Sequence, residues 1–135
     1  MNVEYIPAQY NILWTSSWMA LYPTIEALKQ KKYDLAFCSG SVFLTSINYW
    51  YFPIKSWRKT LDIMTVNTVM FYQLYRTRKL TQYRRRKFLG LTILGVSSFL
   101  LSKYSYNRRL YWDATYFHLG LHIIGNLGNF ILLEE

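Results

Sequence analysis

The chain has 135 residues, of which 52% are hydrophobic and 19% aromatic, and its 16 Lys and Arg outnumber 7 Asp and Glu for a net charge of +9. The charges are confined to short clusters between long apolar stretches, the distribution that bilayer-spanning segments produce and that a water-soluble domain, with a polar face on each element, does not. One cysteine, Cys38, excludes an internal disulfide and any cysteine-based metal site, and the basic clusters accompany no nucleic-acid-binding fold or soluble aromatic platform, so no nucleic-acid partner is expected.

Five apolar runs of about bilayer length can be drawn: Tyr10–Leu28, Asp34–Phe52, Thr60–Tyr75, Phe88–Ser102 and Leu110–Leu133. The expected fold class is therefore all-α, a polytopic transmembrane bundle of about five helices built as a single domain over residues 1–135. The expected location is an integral membrane position with the lipid bilayer as first partner. The N-terminus lacks a basic n-region and a small-residue cleavage site, so the first run is expected to stay as an uncleaved anchor. It carries Glu26 near its end. The second run holds Cys38, read as a small packed apolar residue, together with Ser39, Ser41, Thr45, Ser46 and Asn48.

The third run begins beyond the rim Trp57-Arg58-Lys59-Thr60 and contains Asp62. A carboxylate at that depth must be paired, protonated or metal-bound, because an isolated ionised one costs several kcal/mol. The third and fourth runs are the shortest. Between them lie Arg76, Arg78, Lys79, Arg84, Arg85, Arg86 and Lys87, expected outside the bilayer as a topogenic flank in contact with anionic lipid. With Lys29, Lys31 and Lys32 they put ten basic residues on one side, against six in Lys55, Arg58, Lys59, Lys103, Arg108 and Arg109 on the other. The positive-inside rule then puts the C-terminus on the cytoplasmic or equivalent side and the N-terminus opposite. Tyr and Trp residues such as Tyr10, Trp14, Trp50, Tyr106, Tyr111 and Trp112 fall near the ends of the runs, the headgroup level.

The last run is the one with chemistry. His118, His122, Asn126 and Asn129 fall on one helical face, with Asp113 at the entrance. Polar groups within a membrane usually face a protein interior or a wet cavity. His residues at i and i+4 can share one divalent ion, zinc being the usual choice, with a third ligand from another span. A nearby carboxylate can then take a proton from metal-bound water. The plainer reading of the same pair is hydrogen bonding to Asp62, Ser or Asn across helices.

The order Ser46-Ile47-Asn48-Tyr49-Trp50, then Leu61-Asp62, then Tyr111-Trp112-Asp113 leading into His118-x-x-x-His122, resembles the superfamily of alkaline ceramidases, progestin and adipoQ receptors and related membrane hydrolases. The resemblance implies a seven-helix bundle with a Ser-x-x-x-His, a later Asp and a C-terminal His-x-x-x-His. In those proteins three His bind zinc, while Ser and Asp assist the attacking water. It assigns His118 and His122 as metal ligands and Asp62 and Ser46 as catalytic residues. It departs from the pattern at Trp50, which stands where the first His should be, and the chain is about half the family's length.

Three functions follow as expectations. The first is a non-catalytic structural or accessory subunit of a membrane complex, whose partners are other membrane-protein subunits. The second is a reduced ceramidase-like lipid hydrolase using His118, His122 and Asp62. The third is a proton or solute pathway lined by Glu26, Asp62, His118 and His122.

Overall fold

Pro23 sets the shape of the first rod. It has no N–H to give, and its ring crowds the carbonyl four residues back, that of Met19. The helix responds there with a 3-10 turn over Trp18–Ala20, which joins α1 (Pro7–Ser17) to α2 (Leu21–Lys29). The remaining helices are α3 (Tyr33–Trp50), α4 (Trp57–Arg76), α5 (Gln82–Asn107) and α6 (Tyr111–Leu132), with a second 3-10 turn at Thr77–Lys79. This computed structural model describes residues 3–134. Among the described residues there is no strand, and one isolated antiparallel bridge joins Val3 to Ile54.

Each turn between rods has a local cause. After α2 the amide of Lys32 donates to the Ala27 carbonyl and that of Lys31 to the Leu28 carbonyl, a Schellman closure with Lys31 at φ 59°. After α5 the same pattern recurs: Leu110 donates to the Ser105 carbonyl, Arg109 to the Tyr106 carbonyl, and Arg109 has φ 62°. The hydroxyl of Ser56 caps α4 by accepting from the Arg58 amide, and that of Thr81 caps α5 by accepting from the Arg84 amide.

In space the rods run α4, α3, α1/α2, α6, α5, each packed on the next. The α5–α6 hairpin is the most extensive contact, with Gly128 admitting the Phe88 ring and Ser102 Oγ donating to the Ala114 carbonyl at 2.8 Å. Two apolar clusters hold the ends. One gathers Ala27, Leu35, Leu80, Phe88, Ile131 and Leu132, and the other Leu13, Tyr49 and Trp50 with Tyr5, Trp14 and Leu119 against them.

The Arg-rich stretch, expected as a loop, is helical from Gln82 onward. Thr81 supplies the cap, and Arg and Lys are good helix formers. The fourth run, ranked among the shortest, thus becomes the longest helix. Gln82–Asn107 is also the one helix among the described residues long and apolar enough to cross a membrane by length and composition. In α3, α4 and α6 the apolar content is diluted by hydroxyl, amide, imidazole and indole groups, such as Thr45, Asn67, Trp112 and His118. The polytopic arrangement expected from five runs is to that extent narrowed to an all-helical bundle with one span of this kind.

Candidate functional site

The face of α6 that carries His118 and His122 meets α1 and the end of α3. Both rings are half-buried and lie edge-to-face on each other, with centroids 4.9 Å apart. His122 Nδ1 is 2.6 Å from Ser16 Oγ, whose hydroxyl also lies 3.0 Å from the Leu13 carbonyl on its own helix. His118 lies against the indole of Trp50, with centroids again 4.9 Å apart. Trp50 in turn packs between Tyr49 and Tyr5.

Asp62 sits on α4, buried against α3. Its Oδ1 accepts from Thr45 Oγ1 at 2.8 Å and from Ser46 Oγ at 3.1 Å. The sequence-derived site residues therefore form two groups. Ser46 and Asp62 meet directly, and His118 and His122 meet directly. Among the described residues no hydrogen bond or ring contact links one group to the other.

The donor set fits a metal poorly. Among the described residues no three of His, Cys, Asp and Glu come together in a way that could hold an ion. The neighbour that closes on His118 is an indole, and indole nitrogen donates a proton and offers no lone pair. Other candidates lie apart from both groups. Glu26 accepts from Gln30 on α2, Asp113 and Asn48 are exposed, and Asn48 offers its backbone carbonyl to Arg58. Asn126 and Asn129 continue the His face. Asn126 Nδ2 donates to the His122 carbonyl, Asn129 Nδ2 donates to Asn126 Oδ1, and Gln73 of α4 donates to Asn129 Oδ1 at 2.7 Å.

Three residues of this region carried no signal in the sequence. Ser16 is one hydroxyl in an apolar run, and only the crossing of α1 over α6 singles it out. Glu4 bridges the opposite end, its Oε1 paired with Lys59 Nζ and its Oε2 accepting from Tyr49 Oη. Tyr5 beside it is largely enclosed: burial first, then the Glu4 carboxylate, pushes its phenol above the usual tyrosine range. At the basic end, Asp34 accepts from Tyr72 Oη at 2.6 Å and from Arg76 Nε at 2.7 Å, fastening α3 to α4.

What fold and site define together is a helical bundle of five rods in which Ser16 with His122, Asp62 with Thr45 and Ser46, and Gln73 with Asn129 pair across helix contacts. Comparison with protein-family models, with curated proteins and with solved structures finds no match to this chain.

Proposed function

We propose that the chain is a small multi-pass integral membrane protein that serves as a non-catalytic structural or accessory subunit of a membrane complex. The observation that carries this reading is the position of its apolar surface. Phe37, Leu44, Met64, Phe71, Ile93 and Leu100 point outward, Phe37 at 77% and Ile93 at 67% exposure, on the middle stretches of α3, α4 and α5. Lys and Arg fall toward the two ends of the rods, within about two turns of their termini or in the segments between them. A soluble monomer rarely exposes a contiguous apolar patch beyond a few hundred Å². Lipid tails and partner helices are the surroundings such a belt fits. The polar side chains within it pair with each other, as Asp62 does with Thr45 and Ser46, and hydrogen bonds of that kind join helices in membranes.

The test is labelling with a membrane-impermeant maleimide, on a Cys38→Ala background in sealed vesicles. Cysteines placed at Phe37 and Ile93 should stay unlabelled. Those at Lys79 and Lys55 should label from opposite faces, with Lys79 on the cytoplasmic-equivalent side. Ready labelling at Phe37 and Ile93, or release of the protein by alkaline carbonate, would overturn the membrane reading. Recovery of the chain alone from mild detergent, without a fixed set of partner subunits, would overturn the accessory role.

A second reading, the reduced metal-dependent lipid hydrolase, is favoured by the Ser46–Asp62 contact, since both residues belong to the polar set that the family resemblance assigns. Metal content of the purified protein separates the two.

A further inference from the structure

At the end of the bundle opposite the Arg-rich segment, a cavity of about 480 Å³ opens between the N-terminal segment, the α3–α4 loop and the α5–α6 turn. Half of its lining is aromatic: Tyr5, Tyr106 and Tyr111, whose rings touch in series, and Tyr10 with Phe52. Neighbouring rings are turned against each other. Tyr5 and Tyr106 are tilted by 49° at 5.4 Å, Tyr106 and Tyr111 by 71° at 5.2 Å, and Tyr10 and Phe52 by 80° at 6.3 Å. Both faces and edges are thereby presented along the walls. Glu4 is the acidic residue in the lining, but its carboxylate is already engaged by Lys59 and Tyr49. Basic residues adjoin the lining: Arg58 donates to the carbonyls of Asn48 and Phe52, Lys59 pairs with Glu4, and Arg108 and Arg109 lie in the turn between Tyr106 and Tyr111.

We propose that this cavity binds phosphocholine, with the trimethylammonium group among the tyrosine rings and the phosphate toward Arg58, which is bonded to the Phe52 carbonyl of the lining. Ring quadrupoles attract a cation that carries no N–H and asks for no hydrogen bond, which is the chemistry of aromatic cages for quaternary ammonium. A strongly hydrated ammonium would instead ask for acceptors, and the Glu4 carboxylate is already shared between Lys59 and Tyr49. The arginines repel a bare cation and favour a zwitterion whose anionic part reaches them. The volume lies in the range of small-ligand sites.

The ligand has two sources, free phosphocholine or the headgroup of a choline lipid. The lipid source rests on the membrane reading above, whereas binding of the soluble compound does not. Protein in a maltoside detergent is titrated with phosphocholine, following saturation transfer to its N-methyl signal, and with 3,3-dimethylbutyl phosphate, which has the same shape without the cationic charge. Saturable binding of phosphocholine, much weaker binding of the isostere that lacks the ammonium charge, and a loss of roughly five- to thirtyfold in Tyr106→Leu are expected. Tyr106→Phe keeps the ring and should bind within about twofold of wild type. Equal binding of the two compounds, or no saturable binding at all, would overturn the proposal on wild-type protein alone, whatever the stability of the variants. In nanodiscs, loss of the soluble probe's binding in phosphatidylcholine but not in phosphatidylglycerol assigns the site to the lipid headgroup, and retention in both assigns it to the free compound.

Discussion

The indole of Trp50 stands edge-on to the imidazole of His118, planes 68° apart, while its own Nε1 is the buried side-chain polar atom without a hydrogen-bond partner among the described residues. A buried donor left unpaired costs about 1–3 kcal/mol. Trp50→Phe removes that donor and keeps most of the aromatic contact with Tyr49, Tyr5 and His118. Its stability by thermal unfolding in detergent should equal wild type or exceed it by up to about 1 kcal/mol. Trp50→Ala, which empties the space, should lose about 3–5 kcal/mol.

The bond between Ser16 and His122 ties α1 to α6. Ser16→Ala and His122→Ala should each destabilise by roughly 0.5–2 kcal/mol, and a double-mutant cycle should show a coupling of about 0.6–1.7 kcal/mol. Coupling indistinguishable from zero would mean that the two side chains do not sustain this contact.

The helical class and the five rods were legible because charge clusters separate the apolar runs, and because the run between Phe88 and Leu101 has no charged face. The break at Trp18–Ala20 was not read, although Pro23 was its signal. A proline counts backwards, disturbing the residue four before it, so an apolar run that contains one looks continuous. The charge cluster hid the start of α5 in the opposite way, since the arginines count there for their charge and not as helix formers behind the Thr81 cap. Within the site, His118 with His122 share a helix face, and their proximity follows from spacing. Asp62 with Ser46 depends on how α3 docks on α4, and Ser16 with His122 on how α1 crosses α6. Tertiary packing decides both, and no periodicity records it.

Two turns hold a bulky residue where glycine is easier. Lys31 and Arg109 have φ near +60°, a conformation that crowds the Cβ of any L-residue by roughly 1–2 kcal/mol. Lys31→Gly and Arg109→Gly relieve that crowding but loosen the unfolded chain, so each should stabilise by a net amount of about 0.5–1 kcal/mol. Alanine at either position keeps the Cβ and should give no gain. Thermal midpoints of the four variants check the order.

Alkaline pH should loosen the N-terminal end of the bundle. Burial first, then the Glu4 carboxylate, raises the phenol of Tyr5 above its ordinary value of 10.0. The folded state therefore keeps a proton that the unfolded chain releases from about pH 10 upward. By linkage the stabilisation is complete below pH 10 and is lost as pH climbs past it. A titration of tyrosinate absorbance together with helicity should show a late-ionising group of phenols that is smaller by one residue in Tyr5→Phe. Early ionisation of all phenols with full helicity retained would contradict the burial of Tyr5.

The two functional readings part at Trp50. On the accessory-subunit reading, purified wild type carries no stoichiometric zinc, and His118→Ala and His122→Ala change stability but not metal content. On the hydrolase reading, either alanine removes bound metal, because two imidazoles are already a depleted donor set. Asp62→Asn then keeps metal and loses hydrolysis, since an amide cannot accept the proton of a metal-bound water. Trp50→His adds a sharper arm. The indole already lies 4.9 Å from His118, which is itself 4.9 Å from His122, so an imidazole at position 50 adds a third nitrogen ligand to the pair. Three imidazoles with one open position form a zinc site of the catalytic type. The expected outcome is little or no zinc in wild type and about one equivalent in Trp50→His, lost again when His118→Ala is added. Zinc in wild type that His118→Ala abolishes would move the conclusion from accessory subunit to hydrolase, and absence of zinc from Trp50→His would mean that the three positions do not converge.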